Sequence, residues 1–281
     1  MILFKTAADL GRHLVKLASG GDSIGFVPTM GALHQGHLSL IAASKKENAA
    51  TVCSIFVNPT QFNDPKDFEK YPVTIEKDIE LLEKAGADIL FLPSVTEMYP
   101  DGTGSLPVYP LGYLETILEG KYRPGHFQGV CQVMDRLLTL VKADNLYMGQ
   151  KDYQQCMVVR LLIGYRRYKT RFHACPTLRE SDGLAMSSRN QRLSAAERQQ
   201  AVAISRALSA IKNDIAPGST QPLLTRAEEF LRNNGFTVDY VALCAAGSLE
   251  PVTAWDGKEP LVALAAAYLN EVRLIDNMLI P

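Results

Sequence analysis

Apolar positions along the chain change period repeatedly, and the changes mark out alternating strands and helices. Residues 4 to 19 repeat Leu10, Leu14 and Leu17 as one side of a helix would. Ile24-Gly25-Phe26-Val27 is a continuous apolar run of the length of a buried strand, and Leu38, Ile41 and Ala42 then recur at helical spacing. Thr51 to Val57 is a second buried-type strand, rich in β-branched residues. Thr74 stands where it would cap a helix with Ile75, Ile79 and Leu82 on one face, Gly86 would stop that helix, and Ile89 to Leu92 follows as a strand. Phe127, Val130, Met134, Leu137, Leu138 and Val141 keep a helical period up to the short strand Asn145 to Met148. Gly149-Gln150-Lys151-Asp152 then opens a helix with Lys151, Asp152 and Gln155 on one face and Met157, Val158 and Leu161 on another. A strand near Arg171 to Cys175 ends the series.

Beyond residue 176 the pattern is different. Residues 176 to 193, PTLRESDGLAMSSRNQRL, form a polar loop of anion-binding composition, and Ser194 with Glu197 makes a capping box. The helix it opens runs to about Asn213 with Ala201, Ile204, Leu208 and Ile211 inward, and Pro217-Gly218-Ser219 breaks it. A helix near Gln221 to Asn234 precedes three strand-like runs around Val238 to Leu243, Leu261 to Tyr268 and Val272 to Ile275. Alternating βα units up to residue 176 read as an α/β domain with a parallel sheet, and residues 177–281 as a smaller C-terminal α+β domain. Residues 93 to 125, dense in proline and glycine, read as a long irregular excursion rather than an ordinary crossover, and such loops often carry function.

Composition narrows the classes. With 281 residues, 47% of them apolar, the chain can build one large core or two modest ones. A net charge of −1 without a dense Lys-Arg block suggests neither nucleic acid nor an anionic membrane as partner; Arg166, Arg167, Lys169 and Arg171 read as a solvated turn. The longest apolar run, Leu261 to Leu269, is too short to span a bilayer, and no charged segment leads into an apolar stretch at the N-terminus, so secretion is not indicated either. Five cysteines, odd in number and without a C-x-x-C spacing, suit a reducing cytosol and are expected as buried thiols.

The chemistry concentrates in Pro28 to Leu40, PTMGALHQGHLSL, read as strand, tight loop, helix. Gly31 and Gly36 let the backbone turn and approach a ligand, and amides at a new helix start favour phosphate. His34 and His37, three residues apart, can both face it. Gly31-x4-Gly36 has the spacing of a P-loop, but His37 and Leu38 stand where lysine and a hydroxyl residue belong, so the chemistry fails. Two histidines at this spacing also leave open a zinc site or a plain surface turn. Further polar groups follow strand ends at residues 58 to 61, 149 to 155 and 178 to 189, and on a parallel sheet such loops converge.

The ordered series PTMGALHQGH, FVNPTQF, LEGKYRPGHFQGV, GQKDYQQ and DGLAMSSRN resembles, over nearly the full length, the pantoate–β-alanine ligase family. The resemblance implies a Rossmann-like sheet with a HIGH-type nucleotide site, HQGH filling that role, as in class I aminoacyl-tRNA synthetases and nucleotidyltransferases. Residues 1–176 would bind ATP and pantoate and residues 177–281 would form a lid. The implied protein is a cytoplasmic homodimer that adenylates (R)-pantoate and transfers the pantoyl group to β-alanine. Met30, Gly31, Ala32, Leu33, His34, Gln35, Gly36 and His37 would line ATP, with His34 and His37 donating to phosphate. Gly149, Gln150, Lys151 and Asp152 would hold the adenosine portion, Leu178 would meet adenine through its backbone, and Lys151 with Met186, Ser187, Ser188 and Arg189 would hold phosphates.

By the same resemblance Gln61 and Gln155 would bind pantoate, and Gln61 also β-alanine, with Asn58, Asp78, Glu119 and Arg123 as further members of the wall. Charge growing on the α-phosphate and on departing diphosphate calls for fixed donors and cations rather than for a nucleophile. Magnesium is expected on the phosphates, held largely by ATP and water; Lys77, where some relatives carry aspartate, leaves its protein ligands unspecified. Gln150 replaces the more usual glutamate, and Leu178 and Ser181 replace valine and proline. Glu119 and Arg123 also have the i,i+4 spacing of a simple ion pair. A related nucleotidyltransferase and a nucleotide-binding regulatory protein remain alternatives; intact His34, His37, Lys151, Ser187 and Arg189 speak against the second.

Overall fold

The computed structural model describes residues 1–281. By its contacts the chain forms two units, one of residues Met1–Gln150 with Gln154–Pro176, the other of Lys151–Tyr153 with Thr177–Pro281.

The first unit runs β1 (Ile2–Phe4), α1 (Ala7–Ser19), β2 (Ile24–Thr29), α2 (Gln35–Glu47), β3 (Ala50–Ile55), α3 (Pro65–Glu69), α4 (Ile75–Ala85), β4 (Ile89–Phe91), α5 (Val95–Met98), α6 (Leu118–Tyr122), α7 (His126–Val141), β5 (Asn145–Gly149), α8 (Tyr153–Arg166) and β6 (Arg171–Cys175). The six strands form one parallel sheet in the order β1-β4-β3-β2-β5-β6. From β2 the chain steps to β3 and β4, towards one edge; the steps from β1 to β2, β4 to β5 and β5 to β6 go the other way. Because such crossovers are right-handed, α2 and α4 cover one face and α1, α7 and α8 the other. The core agrees: Leu40 and Ile41 of α2 and Leu82 of α4 cluster with Val27, Cys53, Ile55 and Leu90.

This order sets a switch point between β2 and β5, where neighbouring strands feed helices on opposite faces. In open α/β sheets, ligands bind at the carboxyl ends of the strands beside such a point. Pairing between β2 and β5 involves only Gly25 with Asn145 and Phe26 with Leu146, so the strands part before their carboxyl ends.

In the second unit α9 (Ala195–Gln200), α10 (Val202–Asp214), β7 (Gly218–Ser219), α11 (Gln221–Asn233), β8 (Phe236–Ala245), β9 (Ala254–Trp255), β10 (Leu261–Leu269) and β11 (Val272–Ile280) follow in order. β10 lies between β8 and β11 in an antiparallel sheet, and β7 pairs with β9. The long apolar run is β10, buried at every position but Tyr268. Ala263, Ala265 and Ala267 join Ile204, Leu208 and Ile211 of α10 and Leu231 of α11 in one core cluster.

Several sequence expectations need correction. The N-terminal segment divides into β1 and α1, a three-residue strand being too short to show a period. Ala42 is exposed, and the inward face of α2 is Leu40, Ile41 and Ser44. Thr74 occupies the N-cap position of α4 without a side-chain cap bond; its hydroxyl goes to Asp78 instead. α8 is not divided into a polar and an apolar face, since Leu161 is 41% exposed and Gln154 is buried with Cys156, Val158, Val159 and Leu162. The helix after the Ser194–Glu197 capping box is interrupted at buried Ala201. Four of the five thiols are buried and Cys175 is partly exposed.

Candidate active site

β2 ends in the loop that opens α2, and this loop is built from internal hydrogen bonds. Gly31 and Ala32 both take positive φ, +82° and +48°. Ala32 and Leu33 donate their backbone N–H groups to the two oxygens of Asp78 at 2.9 and 2.8 Å. His34 is the N-cap of α2, and its Nδ1 accepts the Gly36 N–H at 3.1 Å. Reciprocally, Nδ1 of His37 accepts the His34 N–H at 3.3 Å. The two imidazoles thus form a capping box, a task usually performed by Ser, Thr and Glu. A backbone N–H can only donate, so Nδ1 is the acceptor in each ring and the ring proton sits on Nε2. The ring centroids are 4.0 Å apart. The helix start therefore carries two imidazole N–H donors of fixed tautomer. The loop amides of Ala32, Leu33, His34 and Gly36, which the sequence offered as a phosphate cradle, are already engaged.

β3 ends beside this loop. Asn58, 1% exposed, caps the 3-10 turn Pro59–Gln61 through its Oδ1, which also accepts the Tyr99 hydroxyl at 2.8 Å. Its amide donates to Gln61 Oε1 at 3.2 Å and to the Gly129 carbonyl at 3.1 Å. Asn58 therefore holds Gln61 from beneath. Gln61 in turn sends its Nε2 to Met30 Sδ at 3.0 Å, joining the β3 and β2 loops. Gly129 permits this arrangement, because a Cβ there would lie 2.2 Å from the Thr60 carbonyl oxygen.

Glu119 and Arg123 do pair, at 3.6 Å, and the pair extends further. Arg123 Nη1 lies 3.0 Å from His126 Nε2, and His126 Nδ1 lies 2.8 Å from the Gln61 carbonyl. That carbonyl can only accept, so His126 donates from Nδ1 and receives the Arg123 proton at Nε2. Buried Gln154 fixes the excursion from the other side, donating to the carbonyls of Leu114 and Ile117 and accepting the Glu119 N–H. His126 and Gln154 escaped the sequence reading, although both lie in the quoted motifs, since nothing local marks bonds to Gln61 from the one and to Leu114, Ile117 and Glu119 from the other, 35 to 65 residues away. Gln155, the expected substrate contact, is half-buried beside Gln154. At the β5 end, the Gln150 N–H is held by the Cys175 carbonyl at 2.8 Å, and Gly149 is half-buried.

The remaining expected residues stand in the second unit. Lys151 has a side chain only 16% exposed, with Nζ 3.7 Å from Asp152 Oδ1. Its carbonyl accepts from Nδ2 of Asn277 in β11 at 2.8 Å, and the Tyr153 hydroxyl donates to the Ala246 carbonyl. Asn277 follows Asp276, whose carboxylate takes both guanidinium ends of Arg179, at 2.6 and 2.9 Å. Burial pushes the Asp276 carboxyl up while Arg179 pulls it down. Leu178 is 40% exposed and its carbonyl accepts the Met186 N–H. Ser187 caps the 3-10 turn Ser188–Arg192, its Oγ accepting the Arg189 N–H at 3.3 Å; Ser188 is buried and Arg189 half-buried.

No group of three His, Cys, Asp or Glu side chains is placed to hold a metal ion, so a zinc site on His34 and His37 finds no third ligand of those types. Burial pushes the thiols of Cys53, Cys131 and Cys244 up to about 12, which removes them as nucleophiles near neutral pH.

The profile of the family described as Pantoate-beta-alanine ligase matches residues 2–279. The chain belongs to the pantoate–β-alanine ligase family. Its relatives include pantothenate synthetases of Cytophaga hutchinsonii, 44% identical over 100% of this chain and 99% of the relative, and of Bacteroides thetaiotaomicron, 42% identical over 99% and 98%. Among solved structures, pantothenate synthetase from Thermus thermophilus superposes with a TM-score of 0.90 at 41% identity, covering 99% of each chain. The ligase from Francisella tularensis, crystallised with beta-gamma ATP and beta-alanine, gives 0.84 at 37%, covering 99% of this chain and 97% of that one. Ligase-family membership thus holds over both units. No helix is long and apolar enough to cross a membrane.

Proposed function

We propose that this ligase-family chain condenses (R)-pantoate with β-alanine at the expense of ATP, giving pantothenate, AMP and diphosphate through pantoyl adenylate. The observation that carries the reading is the histidine capping box, which sets the ring protons of His34 and His37 on Nε2 beside the switch point of the sheet. First, a pantoate carboxylate oxygen attacks the α-phosphorus and the bond to the bridging oxygen of diphosphate breaks. Then the β-alanine amine attacks the acyl carbon, loses a proton, and AMP leaves with the former carboxylate oxygen. Charge builds on phosphate oxygens in both steps, and His34 and His37 offer N–H donors to them without having to reorient.

In this reading residues 30–37 line ATP, with ring donors taking the part that the engaged amides of Ala32 and Leu33 leave. Gln61 and Gln155 hydrogen-bond pantoate, and Gln61 also meets β-alanine. Gly149 to Asp152 hold the adenosine portion, Leu178 meets adenine through its backbone, and Lys151 with Met186 to Arg189 binds phosphate oxygens. Arg189 suits that task as a planar charged donor. Magnesium enters as part of the ATP substrate, bound by phosphates and water, since Asp78 is filled by internal donors and no acidic cluster is present. The reading includes a homodimer working in the cytoplasm.

The test is AMP release from ATP and pantoate, with and without β-alanine. Steady AMP and pantothenate formation that needs both acids is expected; turnover that ignores β-alanine would point to a nucleotidyltransferase, and no pantoate-dependent AMP would refute the proposal.

A further inference from the structure

Asp78 is fully buried, on a helix whose other inward side chains are apolar. A buried carboxylate needs partners. Its three hydrogen-bond donors are all uncharged: the N–H groups of Ala32 and Leu33 and the Thr74 hydroxyl, at 2.9, 2.8 and 3.1 Å. Two successive backbone N–H groups aimed at one anion, after residues with positive φ, make a concavity of the kind that binds phosphate in other loops. Here the protein supplies the anion from its own chain, 45 residues away. The fit is tight, as a Cβ on Gly31 would lie 3.0 Å from Asp78 Oδ2 and 3.1 Å from Ile55 Cγ2.

We infer that Asp78 is a positioning residue for the adenylation chemistry, an internal anion that locks the left-handed turn at Gly31–Ala32 and so aims the imidazoles of His34 and His37. The inference rests on the function proposed above. Asp78 itself touches none of the reacting groups; it acts through the backbone. Positive φ at Ala32 is a costly conformation for a residue with a Cβ, and two charge-assisted bonds hold it there. Leu33 N–H, bound to Asp78, immediately precedes the His34 N–H that caps into His37, so the two sets of bonds form one continuous hydrogen-bonded turn. Thr74 orients Oδ1 of the carboxylate, which explains why this N-cap threonine leaves the helix amides alone.

A double-mutant cycle separates this role from simple stabilisation. Asp78→Asn keeps the volume but points an amide NH2 at one of the two backbone donors. It is expected to lower kcat for pantoate-dependent AMP formation about 100-fold per folded molecule, the scale of a misplacement near 1 Å, with KM for β-alanine unchanged. In a background that carries both His34→Ala and His37→Ala the same substitution is expected to have little further effect on the residual rate, because both groups it aims are gone. Thr74→Val, which removes one donor and no backbone contact, should give a smaller loss that also vanishes in that background, and it decides the matter if Asp78→Asn does not fold. A wild-type kcat in the folded variant, or fully additive losses, would overturn the inference and leave Asp78 a stability residue. Absence of pantoate-dependent AMP from the wild type would instead refute the proposed function.

Discussion

In the β2 loop the amides of Ala32, Leu33, His34 and Gly36 all have partners within the protein. Each imidazole uses Nδ1 to cap α2 and thereby carries its proton on Nε2, so one arrangement ends the strand, starts the helix and sets two donors. The sequence showed the pair through its three-residue spacing but not its tautomers, because histidine is rarely read as a cap. Asn58 was legible as a polar residue at a strand end, but its bonds were not, since its partners Tyr99 and Gly129 lie far along the chain. A prediction at this scale follows from the assignment of neutral amides to pantoate and of charge to phosphate. Gln61→Ala should weaken pantoate binding by about 0.5–1.5 kcal/mol, or more if Asn58 is left unsatisfied, and spare ATP. Arg189→Ala should spare pantoate and weaken ATP by more, since charge-assisted bonds are the stronger. Calorimetric titration of each variant with each substrate reads this directly, and reversed losses would contradict the assignment.

Among the elements, those with a sustained period were legible. α7 buries all six apolar positions that its spacing named, and β10 was visible as an unbroken apolar run because it lies between two strands. α8 was not, since its buried face includes Gln154, a polar residue that works by tying down the excursion before Glu119. Close approaches were also invisible. Gly129 looks like an ordinary helix-weakening glycine, yet its missing Cβ is what lets α7 lie against the Pro59–Gln61 turn. Gly129→Ala is therefore expected to destabilise the fold by about 1–3 kcal/mol through overpacking, against the gain in helix propensity that alanine ordinarily brings. Urea unfolding measures this, and pantoate affinity should fall with it because the displaced atoms are the backbone of Thr60 and Gln61. A more stable Gly129→Ala protein would contradict the close-contact argument.

At the scale of the molecule, the strand order makes the location of chemistry intelligible. Reversal of direction at β2 and β5 leaves their carboxyl ends unpaired with one another, and the sequence motifs with most polar groups are those that follow these strands. Contacts divide the chain after Pro176 and also group Lys151–Tyr153 with the C-terminal residues. That grouping was not legible in the sequence, because the links run from Lys151 to Asn277 and from Tyr153 to Ala246, at the far end of the chain. Both units fall within the ligase-family match. In the proposed mechanism the chain activates pantoate as its adenylate, with donors in place of a nucleophile. Transfer of oxygen is the decisive test. With pantoate labelled by 18O in its carboxylate, one labelled oxygen is expected in AMP for each pantothenate formed, with the other retained in the new amide. Label in orthophosphate accompanied by ADP, or AMP free of label, would contradict it.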